Sequence, residues 1–201
     1  MNEFASNTIT VNTFDKIPSL SSTQVYKLFT QGKVLNKLRF DDVQSAMIDD
    51  KNFTLVFNNQ LHFTQFFKNM GFDLLYQPSG EFYYIRDCND SDNEETDDNT
   101  LKIQAILLFM GRHYTKTADI DQLADPTHGF RPEHVNSIKE DEDLSSALVA
   151  LRLESWPKAI NYLLSKDLIF QLGEDHYVFS GAAMEFLKNL LNSYQDEVNK
   201  T

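Results

Sequence analysis

Of the five histidines, only His128 and His134 lie near each other in the sequence, and with Asp125 and Glu133 they offer a mixed imidazole and carboxylate donor set. Such a set could approach a transition metal. Its spacing fits no standard zinc pattern, so these four read as exposed loop residues. The stretch 87–100, DCNDSDNEETDDNT, has carboxylates enough to suggest calcium. It lacks the D-x-[DN]-x-[DN]-G spacing and contains no glycine for the sharp turn, so it does not read as a calcium loop. Cys88 is the only thiol. Acidic neighbours raise a thiol's pKa and blunt it as a nucleophile. A lone cysteine also forbids an intrachain disulfide, which suits a reducing compartment. G-x-G-x-x-G, P-loop, G-x-S-x-G and H-E-x-x-H patterns are all missing. The expectation is a chain that is not an enzyme and uses no cofactor or metal.

Binding is the remaining chemistry. Lys158, Asn161, Tyr162, Ser165 and Lys166 share the polar face of one expected helix, and His62, Gln65, Lys68 and Asn69 that of another. Lys158, Asn161 and Lys166 are the candidate DNA contacts. Two or three lysines neutralise few phosphates and grip DNA weakly. The formal net charge is −12, unevenly spread. Residues 1–86 carry 8 basic and 8 acidic side chains, residues 87–100 carry 7 acidic and none basic, and residues 101–201 carry 10 basic and 15 acidic. Charge therefore favours a protein adaptor over a stand-alone DNA reader.

Each of those helices leads into a ribbon. In residues 61–70, Phe63, Phe66, Phe67 and Met70 fall at i, i+3, i+4 and i+7, one apolar stripe. Gly71 can end the helix in the left-handed conformation. Residues 73–77 then read as a strand, 78–80 as a turn and 82–86 as the return strand. The pattern recurs from Trp156. Ile160, Leu163 and Leu164 make the stripe, 168–172 the first strand, 173–175 the turn and 177–179 the return.

Strand side chains alternate between faces. Leu74, Tyr76, Phe82 and Tyr84 share faces in pairs, as do Leu75, Tyr83 and Ile85, so the first ribbon is apolar on both sides. One face must cover the unit's own core. The other needs the neighbouring unit, the N-terminal arm or a partner, because large exposed apolar patches mark contacts. Leu75, Tyr76, Phe82, Tyr83, Tyr84, Ile85 and Arg86 are the candidate partner or dimer residues.

The remaining elements complete two units. Pro18 blocks a regular helix in residues 1–20, which read as an arm or a docked strand. Ser21 or Ser22 caps a helix carrying Val25, Leu28, Phe29, Gly32 and Leu35 at helical spacing. Asp41 caps a second, with Val43, Ala46 and Met47 inward and Phe40 as a staple. Residues 53–57 are an apolar patch, strand or loop. Residues 87–100 are an acidic linker too polar to offset their ordering entropy. The second unit opens with Ile103, Ile106, Leu107, Met110 and Tyr114 on one helix. Thr117 caps a short helix over 118–123, residues 125–143 form an irregular insertion, and 144–154 is helical. Ser155 caps the helix with Pro157 in its first turn. Ser180 caps a last helix bearing Met184, Leu187, Leu190, Leu191, Tyr194 and Val198. The expected fold is mainly α with small β-ribbons, α+β, as two tandem winged helix-turn-helix domains: 1–86, the linker 87–100, and 101–201. The first ten residues lack the regions of a signal peptide, and the longest apolar run, 105–110, is too short for a bilayer. A soluble cytosolic protein with no membrane association is expected.

At residues 66–86, FFKNMGFDLLYQPSGEFYYIR resembles the MukE and MksE family, in which a helix leads into a strand, a P-x-G-type turn and an aromatic strand ending F-x-Y-x-R. The matching positions are Pro78, Gly80, Phe82, Tyr84 and Arg86. The second ribbon, after INYLLSKDLIF, is similar to the family's closing wing, with Asp167 where glycine is usual. The resemblance implies a tandem winged-helix subunit of a bacterial SMC (condensin-like) complex. It implies a homodimer, formed largely through the N-terminal unit, that binds the kleisin subunit and through it the SMC ATPase. It further implies weak or indirect DNA contact, association with the nucleoid, and a role in chromosome condensation and segregation or against plasmids. A winged-helix transcriptional regulator is the alternative.

Overall fold

The computed structural model describes residues 17–88 and 98–198, with side chains through residue 193. Residues 1–16, 89–97 and 199–201, and with them most of the expected arm 1–20 and most of the expected linker, lie outside the described residues.

The first half begins with α1 (Ser19–Thr30), whose first turn folds onto Pro18: Ser21 N and Ser22 N both donate to its carbonyl. Proline therefore starts this helix, a few residues before the expected serine caps. Val25 and Phe29 are its buried residues, and Gly32 at φ +68 turns the chain out. Leu35 is not helical. It lies in β1 (Leu35–Asn36) opposite Tyr83.

The expected second helix is a β-hairpin, β2 (Leu38–Asp41) against β3 (Ala46–Asp49), paired Phe40 to Met47. Asp41 does cap backbone amides, accepting from Val43 N at 3.0 Å and Gln44 N at 2.9 Å. The same carboxylate geometry closes a turn as readily as it starts a helix. Val43, expected inward, is 96% exposed at the hairpin tip. The true second helix is α2 (Lys51–Asn58), which takes in the apolar patch and buries Phe53 and Val56. Asp50 caps it through Asn52 N and Phe53 N. Then come α3 (Gln60–Lys68), Gly71 at φ +85, and the ribbon β4 (Phe72–Gln77) with β5 (Phe82–Asp87).

In the second half, α4 (Asp98–Tyr114) begins inside the expected linker, helped by an i,i+4 ion pair from Lys102 to Asp98. The next element is a 3-10 turn (Ile120–Ala124) capped by Asp119, not a helix capped by Thr117. Residues 125–143 are mostly regular. Phe130 bridges Tyr177, and α5 (Pro132–Glu140) buries Val135 and Ile138. Pro132 stands in the first turn, where its missing N–H costs nothing, so it starts a helix rather than breaking one. Asp141 caps α6 (Glu142–Ala150), which therefore begins earlier than expected. The chain closes with α7 (Trp156–Ser165), β6 (Ile169–Gly173), β7 (His176–Phe179) and α8 (Gly181–Val198). Ser180 Oγ accepts from Ala183 N at 3.2 Å, the expected cap of α8.

The fold is mixed α+β with small antiparallel sheets. Each half has helices leading into an antiparallel ribbon whose second strand takes a further partner, β1 on β5 in the first half and the single residue Phe130 on β7 in the second. The first half adds the β2–β3 hairpin, the second the 3-10 turn and α8. One hydrophobic cluster gathers Val25, Phe29, Val56, Phe63, Phe67 and Tyr83; the other, centred on α4, α7 and α8, also takes in Phe82.

Candidate functional site

The first ribbon explains why adjacent residues belong to different cores. Register places Leu74 opposite Ile85 and Tyr76 opposite Tyr83 on one face, and Leu75 opposite Tyr84 and Gln77 opposite Phe82 on the other. The first face closes the N-terminal cluster. The second meets the C-terminal half: the Phe82 ring packs, tilted by 59°, at 5.8 Å from that of Phe186 of α8, and Gln77 Nε2 donates to Glu185 Oε1 at 2.8 Å. Both Phe82 and Tyr83 are 1% exposed, so these two partner candidates serve the chain's own interior. Leu75, Tyr76, Tyr84 and Ile85 are half-buried, and Arg86 is exposed beside Asp73. Tyr84 and Ile85 line a cleft of about 210 Å³ between the halves, with Ile103 and Phe186 opposite.

A polar seam beside that ribbon holds the halves together. Asn36, 6% exposed on β1, donates from Nδ2 to Asp167 O at 2.7 Å and accepts on Oδ1 from Ala182 N at 3.3 Å. Val34 N donates to Lys166 O at 3.2 Å. Lys33 Nζ lies 3.0 Å from Asp167 Oδ1. Burial pushes the Asp167 carboxyl above its ordinary range, while Lys33 pulls it back. Asp167 also has φ +57, which answers for the glycine usual there: aspartate is among the few residues that tolerate this conformation. Gly80 and Gly181 approach backbone to backbone. The sequence carries no sign of Asn36 or Lys33 as seam residues, because their partners lie more than 130 positions away.

The candidate DNA residues on α7 are largely engaged. Lys158 pairs with Glu154 one turn back. Lys166 Nζ donates to Gln31 O at 2.8 Å and sits 5.8 Å from the Tyr162 ring centroid, so it belongs to the seam. Asn161 is exposed. On α3, His62 is buried rather than on the polar face: its ring stacks on Phe66 at 6.2 Å. Burial holds its imidazole below the ordinary range.

Of the four residues expected in an exposed loop, Glu133 and His134 instead lie in the first turn of α5, with His134 half-buried, because Pro132 opens that helix; both histidines make local bonds. His128 Nδ1 meets Asp125 Oδ2 at 2.9 Å, and His134 Nδ1 accepts from Arg131 N at 3.1 Å. Among the described residues no cluster of three or more His, Cys, Asp or Glu could hold a metal. Cys88 is exposed, and its thiol is held above its ordinary range by partial desolvation and by Asp73. No helix among the described residues is long and apolar enough to cross a membrane.

The surface offers clefts of contact scale. One of about 430 Å³ lies between the halves, with Leu38, Met47, Met184 and Lys188 in its walls. Another, of about 260 Å³, is built on Phe53, Phe57 and Tyr76, with Phe57 53% exposed. A groove of about 490 Å³ runs between α1 and α3. A comparison with curated proteins gives no match. The family model for the condensin complex protein MksE matches residues 21–191, from α1 through most of α8. The chain belongs to the MksE family of condensin complex proteins.

Proposed function

We propose that this chain is the non-catalytic adaptor of a bacterial SMC complex: a homodimer of tandem winged-helix units that binds the kleisin and through it modulates the SMC ATPase. The observation that carries this reading is the family match over 21–191 in a chain whose halves each contain helices leading into a two-stranded ribbon. A helix leading into an antiparallel ribbon in each half, α3 into β4–β5 and α7 into β6–β7, supports the winged-helix reading. The units are then 1–86 and 101–201, joined by the acidic linker. The protein works in the cytoplasm on the nucleoid, in chromosome organisation and segregation or in plasmid defence.

In this reading the partially exposed ribbon residues Leu75, Tyr84, Ile85 and Arg86, with Tyr76 beside Phe57, contribute partner or dimer contacts. DNA contact through Lys158, Asn161 and Lys166 is weak or indirect. The pairing of Lys158 with Glu154 and of Lys166 with Gln31 O supports that, since each contact must be given up before a phosphate is held.

The test is mass in solution by light scattering, for the protein alone and mixed with a candidate kleisin from the neighbouring reading frame. A dimer that forms a stable heavier complex is expected. A monomer that ignores the kleisin overturns the reading, and a screen for palindromic DNA binding then tests the regulator alternative.

A further inference from the structure

The groove between α1 and α3 is uncharged. Its eight lining residues, Ile17 to Thr23 on one wall and Tyr26, His62, Phe66 and Met70 around them, include no Lys, Arg, Asp or Glu. Phe66 forms the floor, with the Tyr26 ring edge-on at 6.4 Å. Tyr26 is 38% and Met70 37% exposed, so apolar area remains for an occupant. Ser19, Ser22 and Thr23 place hydroxyls along one rim.

The residues that precede this groove in the chain match it. Ile17, 7% exposed, is itself a wall residue, so the chain enters α1 through the groove. The stretch 4–14, FASNTITVNTF, carries no charge in a protein that is 24% charged residues. Ile9 and Val11 alternate with Thr8, Thr10 and Asn12, an apolar edge backed by a hydrogen-bonding one. Eleven residues reach up to roughly 36 Å, against roughly 12 Å for the α1 edge they would follow, so length is no obstacle. An uncharged occupant is also what such a groove selects, since a buried unpaired charge is strongly disfavoured.

We propose that residues 4–14 of the same chain dock in the α1–α3 groove, with Ile9, Val11 and Phe14 against Tyr26, Phe66 and Met70. The arm is then a built-in cover for that face of the first unit, and a competitor for any partner that uses it. This holds whether or not the condensin reading stands.

The test uses the full chain with Val11 replaced by the photo-crosslinking residue p-benzoylphenylalanine, and a mixture of unlabelled and nitrogen-15-labelled protein. Crosslinks to the peptides bearing Tyr26 or Met70, within one chain, are expected. Met70→Glu lies at the surface and keeps the fold; by placing a carboxylate in the groove it lowers the crosslink yield about tenfold. Crosslinks mapped elsewhere, or a yield indifferent to Met70→Glu, overturn the docking. Crosslinks between heavy and light chains overturn the same-chain assignment and make the occupant a second copy's arm. As an independent readout, deleting residues 2–14 raises hydrogen exchange in α1; unchanged exchange in a folded deletion variant counts against the proposal.

Discussion

The seam between the halves makes its sharpest prediction at Gly181. A Cβ on Gly80 would lie 2.7 Å from Gly181 O, about 0.7 Å inside ordinary contact at 3.4 Å, and a Cβ on Gly181 would overlap Gly80 O outright. For Gly181 the obstacle is wholly the backbone of Gly80, so no side chain can swing away, whereas a Cβ on Gly80 would also meet the Phe82 ring. Gly181→Ala must therefore push the β4–β5 turn off the start of α8, stretching the 3.3 Å bond from Ala182 N to Asn36 Oδ1. Overpacking of this kind costs about 1–3 kcal/mol. For a chain of this size that is a fall in Tm of about 2–12 °C. Gly173→Ala is the matched control: nothing lies within 4 Å of its Cβ and its φ is ordinary. Thermal melts followed by circular dichroism on both variants decide the matter. A Gly181→Ala protein that melts with the parent would refute the seam as a backbone-to-backbone contact.

Asn36→Ala leaves Asp167 O and Ala182 N without their partner in a buried place, and a loss of about 1–3 kcal/mol is expected by urea denaturation. Lys33→Met should destabilise more than Asp167→Asn, by roughly 1 kcal/mol after allowing for partial exposure, because burial already disfavours the Asp167 charge and asparagine removes it. Equal losses would remove Lys33 from its compensating role. Stability should also fall on mild acidification. Burial holds His113 and His134 below the ordinary imidazole value near 6.5. The unfolded chain therefore binds more protons below that value, so stability is complete above about pH 6.5 and declines as pH falls through the folded values. The urea midpoint at pH 5.5 is expected below that at pH 7.5, and His113→Leu should flatten the difference. Finally, Cys88 should alkylate more slowly with iodoacetamide than a free cysteine, and Asp73→Asn should speed it; an unchanged rate would separate the thiol from that carboxylate.

Legibility followed local chemistry. The helix 60–68, its stop at Gly71, both ribbons and the Ser180 cap were readable because each rests on residues within a turn of one another. Asp41 misled because one carboxylate accepting two backbone amides serves a hairpin turn and a helix start alike. Pro132 misled in the same way, since a proline that breaks a helix interior also opens a helix. Helical position puts His62 off the apolar stripe, on the polar face, yet it is buried and stacked on Phe66.

The sequence by itself determined the class of molecule: mixed α and β, two ribbons each led by a helix, and an acidic charge that weakens any case for a DNA reader. It also held the family signature, in residues 66–86. Tertiary structure alone decided what covers the second face of the first ribbon. Alternation guarantees that Phe82 and Tyr83 point opposite ways, but not which core receives each. That choice is made where Asn36, Lys33 and Gln31 meet Asp167 and Lys166. Those contacts join residues more than 130 positions apart, and no local pattern encodes a pairing that only the folded chain brings within 3 Å.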